Sequence, residues 1–198
     1  MRLNAKQLRR GYRLQVTGDS MKKNEIYIIL DNVLDTYNIG SIFRLADAVA
    51  AQKVYLCGQT ETPPNSRIKK ASINTTEWVE WEYCESTVKA IAHLRGEAKE
   101  STGSHFGGVQ PVKIVAVEQS IKSVQYDKFE YSLPICLIVG NETEGVSKEV
   151  LDVCDAIVEI PMFGVNKSLN VMVSLGIVLY RIVSNKYSKG IGNKLSNI

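Results

Sequence analysis

Histidine is almost missing from this chain: His93 and His105 are isolated from each other and offer no metal site. Cysteine is scarce as well. Cys57, Cys84, Cys136 and Cys154 lie far apart and form no CxxC pair, which removes the usual zinc and dithiol patterns. No apolar run is long enough to cross a bilayer, and the first residues do not read as a signal peptide. The expected setting is therefore a reducing cytoplasm, with no membrane partner and no metal. Cys57 and Cys136, inside or at the ends of apolar runs, are expected as buried thiols. There is no internal repeat. A GxGxxG fingerprint is also absent, which argues against an ordinary dinucleotide-binding enzyme such as a dehydrogenase.

What is present suits one globular domain with a sizeable core: 198 residues, 44% hydrophobic and 23% charged. The formal net charge of +3 permits a nucleic-acid partner without requiring one. The basic residues are clustered. Arg2, Lys6, Arg9, Arg10, Arg13, Lys22 and Lys23 crowd the start; Arg67, Lys69 and Lys70 form a second group; Arg181, Lys186, Lys189 and Lys194 form a third. Each cluster also has a plainer explanation as a solvated helix face or tail.

Apolar β-branched runs alternate with helical patterns. Strands are expected at Ile26–Leu30, Lys53–Cys57, Trp78–Tyr83, Lys113–Glu118, Ile135–Val139 and Ile157–Ile160. Helices are expected at Ala5–Tyr12, Ile39–Ala50, Ser86–Arg95 with Ser86 as N-cap, Ser147–Val153 and Ser168–Val183 with Ser168 as N-cap. This alternation implies an α/β fold with a mostly parallel sheet. Gly96–Pro111, rich in glycine and serine and without periodicity, reads as a surface loop.

Three segments could carry chemistry. Asn38-Ile-Gly-Ser-Ile-Phe-Arg44 follows a strand and opens a helix, so Asn38 and Arg44 could flank one cleft; a capping Asn and a surface Arg is the simpler alternative. Leu137-Ile-Val-Gly140-Asn-Glu142-Thr-Glu-Gly145-Val-Ser147 ends an apolar strand in a glycine-containing turn. Ligands favour that end of a parallel strand, and glycine permits close backbone approach. Ile160-Pro-Met-Phe-Gly164-Val-Asn-Lys-Ser168-Leu-Asn170-Val bends after a strand and starts the last helix, where free N–H groups gather. Any one of them could be only a turn or a cap.

Together and in this order, the three resemble the motifs of the SPOUT superfamily of methyltransferases, specifically its TrmH (SpoU) branch, from about Ile26 to Tyr180. The resemblance implies a SPOUT-type α/β fold with a C-terminal deep trefoil knot over about Leu137–Tyr180, a homodimer through the knot region and final helix, and S-adenosyl-L-methionine as cofactor. It implies 2′-O-ribose methylation of tRNA or rRNA, with tRNA favoured. It assigns cofactor contacts to Val139, Gly140, Asn141, Ile160, Met162 and Leu169, and active-site roles to Asn38, Arg44, Glu142, Ser168 and Asn170. RNA contacts would come from Arg9, Arg10, Arg13, Arg44, Arg67, Lys69 and Lys70. The domain plan that follows is a basic N-terminal extension with a short helix over 1–24, the methyltransferase domain over 25–185 and a flexible basic tail over 186–198. The apolar residues Leu169, Val171, Met172, Leu175, Ile177, Val178 and Leu179 would serve both core and dimer interface.

Arg44 is the principal catalytic candidate by this resemblance. A guanidinium holds its proton too tightly to act as a general base near neutrality, so a positioned cation that orients phosphate and stabilises charge growing on the 2′-oxygen is the better physical role. A catalytically silent RNA-binding relative and a base-directed SPOUT enzyme are the alternatives. Two stretches depart from the family pattern: Gly96–Pro111 is longer than usual, and Ala71–Trp81 lacks the expected small residues.

Overall fold

The structure, a computed structural model, describes residues 23–96 and 111–195, with side chains through 185. Arg9, Arg10, Arg13, the helix expected at 5–12 and nearly all of the 96–111 loop lie outside the described residues. Among the described residues seven strands form one sheet: β1 (Asn24–Asp31), β2 (Ala51–Cys57), β3 (Trp81–Cys84), β4 (Lys113–Val117), β5 (Val124–Gln125), β6 (Ile135–Gly140) and β7 (Ala156–Glu159). Their order across the sheet is β3-β2-β1-β6-β4-β7-β5, and every pairing is parallel. The helices are α1 (Thr36–Ala48), α2 (Ser66–Ser72), α3 (Thr87–Leu94), α4 (Lys148–Val153) and α5 (Val171–Leu195). None of the helices among the described residues is long and apolar enough to cross a membrane.

The continuous apolar runs have a direct cause. A parallel sheet is covered on both faces, so both sets of alternating side chains must be apolar. In β1, Ile26, Ile28 and Leu30 enter one core and Ile29 the other; in β6, Ile135, Leu137 and Val139 face the first and Cys136 and Ile138 the second. The first core is closed by Ile39, Ile42, Phe43 and Ala46 of α1 and by Leu175, Val178 and Leu179 of α5. The second is closed by Ala90 and Ile91 of α3 and Val150 of α4. Cys57 and Cys136 are fully buried, as expected, and all four cysteines are free thiols. Burial pushes the Cys136 thiol well above its ordinary pKa.

Most expected elements are present with shifted ends. The capping residues differ more. Asp35 caps α1, accepting from the Tyr37 N–H at 2.8 Å. Ser86 caps α3 as anticipated, accepting from Lys89 N–H. Ser168 is not the cap of the last helix: that helix starts at Val171, and Asn170 Oδ1 accepts from the N–H groups of Met172 and Val173 at 3.0 and 3.3 Å. An Asn closer to the apolar face captures the first free donors. The same helix continues through Leu195, over residues assigned from the sequence to a tail. Helix propagation adds one bond per residue and no proline interrupts it. Helix α2 and strand β5 are too short to show a period, and neither is evident in the sequence.

Registry places the loops. Asp31 at the end of β1 lies beside Gly140 at the end of β6, so the segments after both strands emerge together. Asp31 is 3% exposed and accepts from Thr87 Oγ1 at 2.7 Å, the Ser147 N–H at 2.9 Å and Asn32 Nδ2 at 3.0 Å. It thereby ties β1 to α3 and to the turn before α4. Replacing Asp31 with alanine is expected to leave two of these donors, on Thr87 and Ser147, without their acceptor at about 1–3 kcal/mol each. A lower urea midpoint would report that loss, whereas an unchanged midpoint would remove Asp31 from this role.

Candidate functional site

The three motif segments meet at the carboxyl ends of β1, β6 and β7. Glu142, in the turn after β6, aims its carboxylate at the start of α1. There it accepts from the Leu34 N–H at 3.1 Å, the Asp35 N–H at 3.0 Å and Asn38 Nδ2 at 3.0 Å. A carboxylate at a helix N-terminus also meets the positive end of the helix dipole. Asn38, buried in the first turn of α1, accepts in turn from Asn170 Nδ2 at 3.0 Å. Glu142, Asn38 and Asn170 therefore form one hydrogen-bonded chain joining residues more than a hundred positions apart.

The turn itself is tightly set. Asn141 and Gly145 exchange two backbone hydrogen bonds, and Asn141 Oδ1 accepts from the N–H groups of Thr143 and Glu144. A Cβ at Gly140 would stand 2.1 Å from the Gly145 carbonyl carbon, so glycine is required there by contact. Gly145 has φ +70° and lies against Glu118, whose Oε2 would be 2.2 Å from an added Cβ. Glu118 accepts from the Val146 N–H at 2.9 Å and braces the turn from the end of β4. Gln119 Nε2 donates to the Lys167 carbonyl, linking the same strand end to the segment before α5.

Beside this chain lies a pocket of about 400 Å³. Val139, Gly140, Asn141, Ile160, Met162 and Leu169, the six expected cofactor positions, all line it, and so does Ser168. Four glutamates, Glu118, Glu142, Glu144 and Glu159, are also among its lining residues, and among the described residues no lysine or arginine lines it. Apolar residues and glutamates together suit a ligand with an apolar part and a positive charge. Glu118 and Glu159 had no sequence motif to mark them; their position at or just after a strand's carboxyl end was the available signal.

Arg44 is not part of the chain of hydrogen bonds. It is exposed on α1 and lines a second, neighbouring groove between α1 and α2, together with Tyr37, Lys69 and Lys70. Arg67 is exposed on α2 but is not among the residues lining that groove. Tyr37, just outside the first motif segment, and Ser41, within it, are groove residues that the sequence did not single out. Among the described residues no group of three or more His, Cys, Asp or Glu side chains is arranged to hold a metal ion.

Partial burial raises the Glu142 pKa, but the hydrogen bonds from Asn38, Leu34 and Asp35 outweigh it, and the carboxyl sits below its ordinary value. A depressed pKa contributes stability above the unfolded value, roughly 4.3, and the contribution is lost as pH falls through the folded value. The stability gap between wild type and Glu142→Gln is thus expected to be constant between about pH 6 and 8 and to close below about pH 4. Urea unfolding across that range measures it; a gap persisting undiminished at the acid end would show that the carboxylate charge is not what holds the turn.

Known proteins resemble this chain over most of its length. Residues 25–180 match the SpoU rRNA Methylase family. The tRNA (guanosine(18)-2′-O)-methyltransferase of Aquifex aeolicus is 29% identical over 181 residues, which is 88% of this chain and 76% of the relative. The crystal structure of the A. aeolicus TrmH/SpoU tRNA modifying enzyme superposes with a TM-score of 0.71 at 27% identity, covering 94% of this chain and 84% of that one. The AdoMet-bound rRNA methyltransferase from Sinorhizobium meliloti superposes with a TM-score of 0.69 at 29% identity; 81% of this chain is covered, and it spans 56% of that longer protein. With the three motifs joined at one set of strand ends and the match running through all of them, the chain belongs to the SpoU rRNA Methylase family.

Proposed function

We propose that this protein is an S-adenosyl-L-methionine-dependent RNA 2′-O-ribose methyltransferase acting on tRNA or rRNA, with tRNA favoured. The observation that carries the reading is the Glu142–Asn38–Asn170 chain at the edge of an acid-lined pocket. The Aquifex aeolicus tRNA (guanosine(18)-2′-O)-methyltransferase and the structure of the A. aeolicus tRNA modifying enzyme support the ribose and tRNA parts. The Sinorhizobium enzyme with bound AdoMet supports the cofactor.

The pocket residues fit that cofactor. Val139, Ile160, Met162 and Leu169 would enclose its adenine, and the turn at Gly140–Asn141 would offer backbone groups. The surrounding carboxylates favour a molecule carrying a sulfonium and an ammonium group. When bound, the cofactor supplies an electrophilic methyl on sulfur. The chain's own task is then to align the acceptor oxygen and exclude water. Asn38 and Asn170, locked to each other and to Glu142, hold the pocket's rim; Ser168 offers a hydroxyl beside it. Arg44, from the adjoining groove, orients the RNA backbone and stabilises negative charge growing on the 2′-oxygen.

The methyltransferase domain is proposed to occupy 25–185, with the basic stretch 1–24, including Arg9, Arg10 and Arg13, as an added RNA contact. A deep trefoil knot over about Leu137–Tyr180 belongs to the same reading. It is supported by the strand order, in which β6 enters between β1 and β4, and β7 between β4 and β5. A homodimer through this region is supported by apolar side chains left exposed around the pocket and α5: Phe163, Val165, Leu169, Val173 and Tyr180. A cytoplasmic location follows from tRNA or rRNA as substrate.

Arg44→Ala is expected to lower methyl transfer on the order of a hundredfold or more while leaving cofactor affinity nearly intact. Incorporation from tritiated cofactor into bulk RNA, with calorimetry for the cofactor, measures both; full activity in the variant would defeat the role given to Arg44. Mass-spectrometric mapping of the product separates ribose from base methylation. For the dimer, light scattering of the wild type should give twice the chain mass, and Val173→Glu should shift it toward the monomer.

A further inference from the structure

The groove between α1 and α2 has a volume of about 660 Å³, within the range of ligand pockets, ~300–1,000 Å³. Its shape comes from one close contact. A Cβ at Gly40 would be 2.6 Å from Ala71 Cβ and 2.7 Å from the Ile68 carbonyl, so the two helices touch backbone to backbone there. Beside that contact their polar rows face the same space: Tyr37, Ser41 and Arg44 from α1, and Ser66, Lys69 and Lys70 from α2. Spacings of three and four residues keep each row on one face.

The charge of this groove is opposite to that of the cofactor pocket. Among the described residues, three basic residues and no acidic one line it; Glu77, outside the lining, approaches Lys69 to 4.0 Å. The Tyr37 ring at its edge is 52% exposed, and Tyr37 immediately precedes Asn38 of the hydrogen-bonded chain. The far wall is strained. Ile73, β-branched and 7% exposed, has φ +53°, and Asn74 has φ +66°. Two successive non-glycine residues in the left-handed region cost energy, and such strain gathers at binding sites.

We propose that this groove is a nucleotide subsite for a single-stranded part of the substrate RNA, next to the ribose that is methylated. Arg44, Lys69 and Lys70 contact phosphodiester oxygens, Tyr37 stacks on an unpaired base, and Ser41 and Ser66 offer hydroxyls to the sugar. The chemistry favours RNA over an acidic peptide because the cations are joined by an exposed ring, and ring-plus-cation is how unpaired bases and their backbone are held. The inference rests on the RNA-methyltransferase reading for the identity of its ligand, and its test does not depend on turnover.

The probe is a fluorescein-labelled tRNA stem-loop, bound by the full chain and followed by anisotropy across a salt series. Removing two phosphate contacts with Lys69→Gln/Lys70→Gln should reduce the slope of log affinity against log salt by about 1.4, which corresponds to about 25-fold weaker binding at ~0.1 M salt. Tyr37→Ala should weaken binding about fivefold or more and Tyr37→Phe should restore it. Calorimetric affinity for S-adenosylmethionine should be unchanged in all three. The pair Lys122→Gln/Lys148→Gln removes the same charge elsewhere and should keep the wild-type slope. An unchanged slope in the groove variant, an equal fall in the control pair, or no RNA affinity in the wild type would overturn the subsite. Groove-dependent RNA affinity without methyl transfer by the wild type would instead overturn the enzymatic reading and leave the subsite standing.

Discussion

One carboxylate organises this site. Glu142 takes three donors at the start of α1, two of them backbone N–H groups that precede the helix and have no partner within it. The interaction is favourable twice over, since it satisfies those donors and sets a negative charge at the positive end of the helix. Because Glu142 also belongs to the turn after β6, the same contact fixes where that turn lies relative to α1. Asn38 then has one defined orientation, and through it Asn170 is held at the opening of α5.

The architecture around this contact divides two kinds of binding between adjacent surfaces. The parallel sheet brings the ends of β1, β4, β6 and β7 together, and the pocket there is walled by backbone, apolar side chains and carboxylates. One helix away, the face of α1 that does not enter the core meets α2 and forms a groove lined by cations. A cationic cofactor and a polyanionic substrate are thereby drawn to neighbouring but distinct places. Helix α1 is common to both: Asn38 is hydrogen-bonded to Glu142 and Asn170 of the first, and Tyr37 and Arg44 line the second.

Much of this was legible from residues alone. Buried parallel strands announce themselves as unbroken β-branched runs such as IYIIL and ICLIVG, because both faces of the sheet are covered. The glycine turn after β6 and the polar start of the last helix were recognisable as a pair, and the six positions that the family resemblance assigned to cofactor contact line one cavity. The caps were less readable. Ser168 and Asn170 are both good capping residues, and only the packing depth of α5 decides which side chain meets the free N–H groups. Helix α2, seven residues long with one fully buried hydrophobic side chain, Ile68, carries too little periodicity to be seen.

By itself the sequence determined the longer elements, the two-sided core and the three polar segments, since these depend on local pattern and residue type. What only the tertiary structure decided is which residues act together. Glu142 reaches Asn38 across 104 positions and Asn38 reaches Asn170 across 132, distances over which no local spacing carries information. Arg44 and Asn38, six residues apart, lie on different faces of α1: Asn38 bonds to residues of the first pocket, and Arg44 lines the second groove. The physical reason is the order of strands: with β6 seated beside β1, the turn at Glu142 must emerge next to α1, and chain neighbours matter less than strand neighbours.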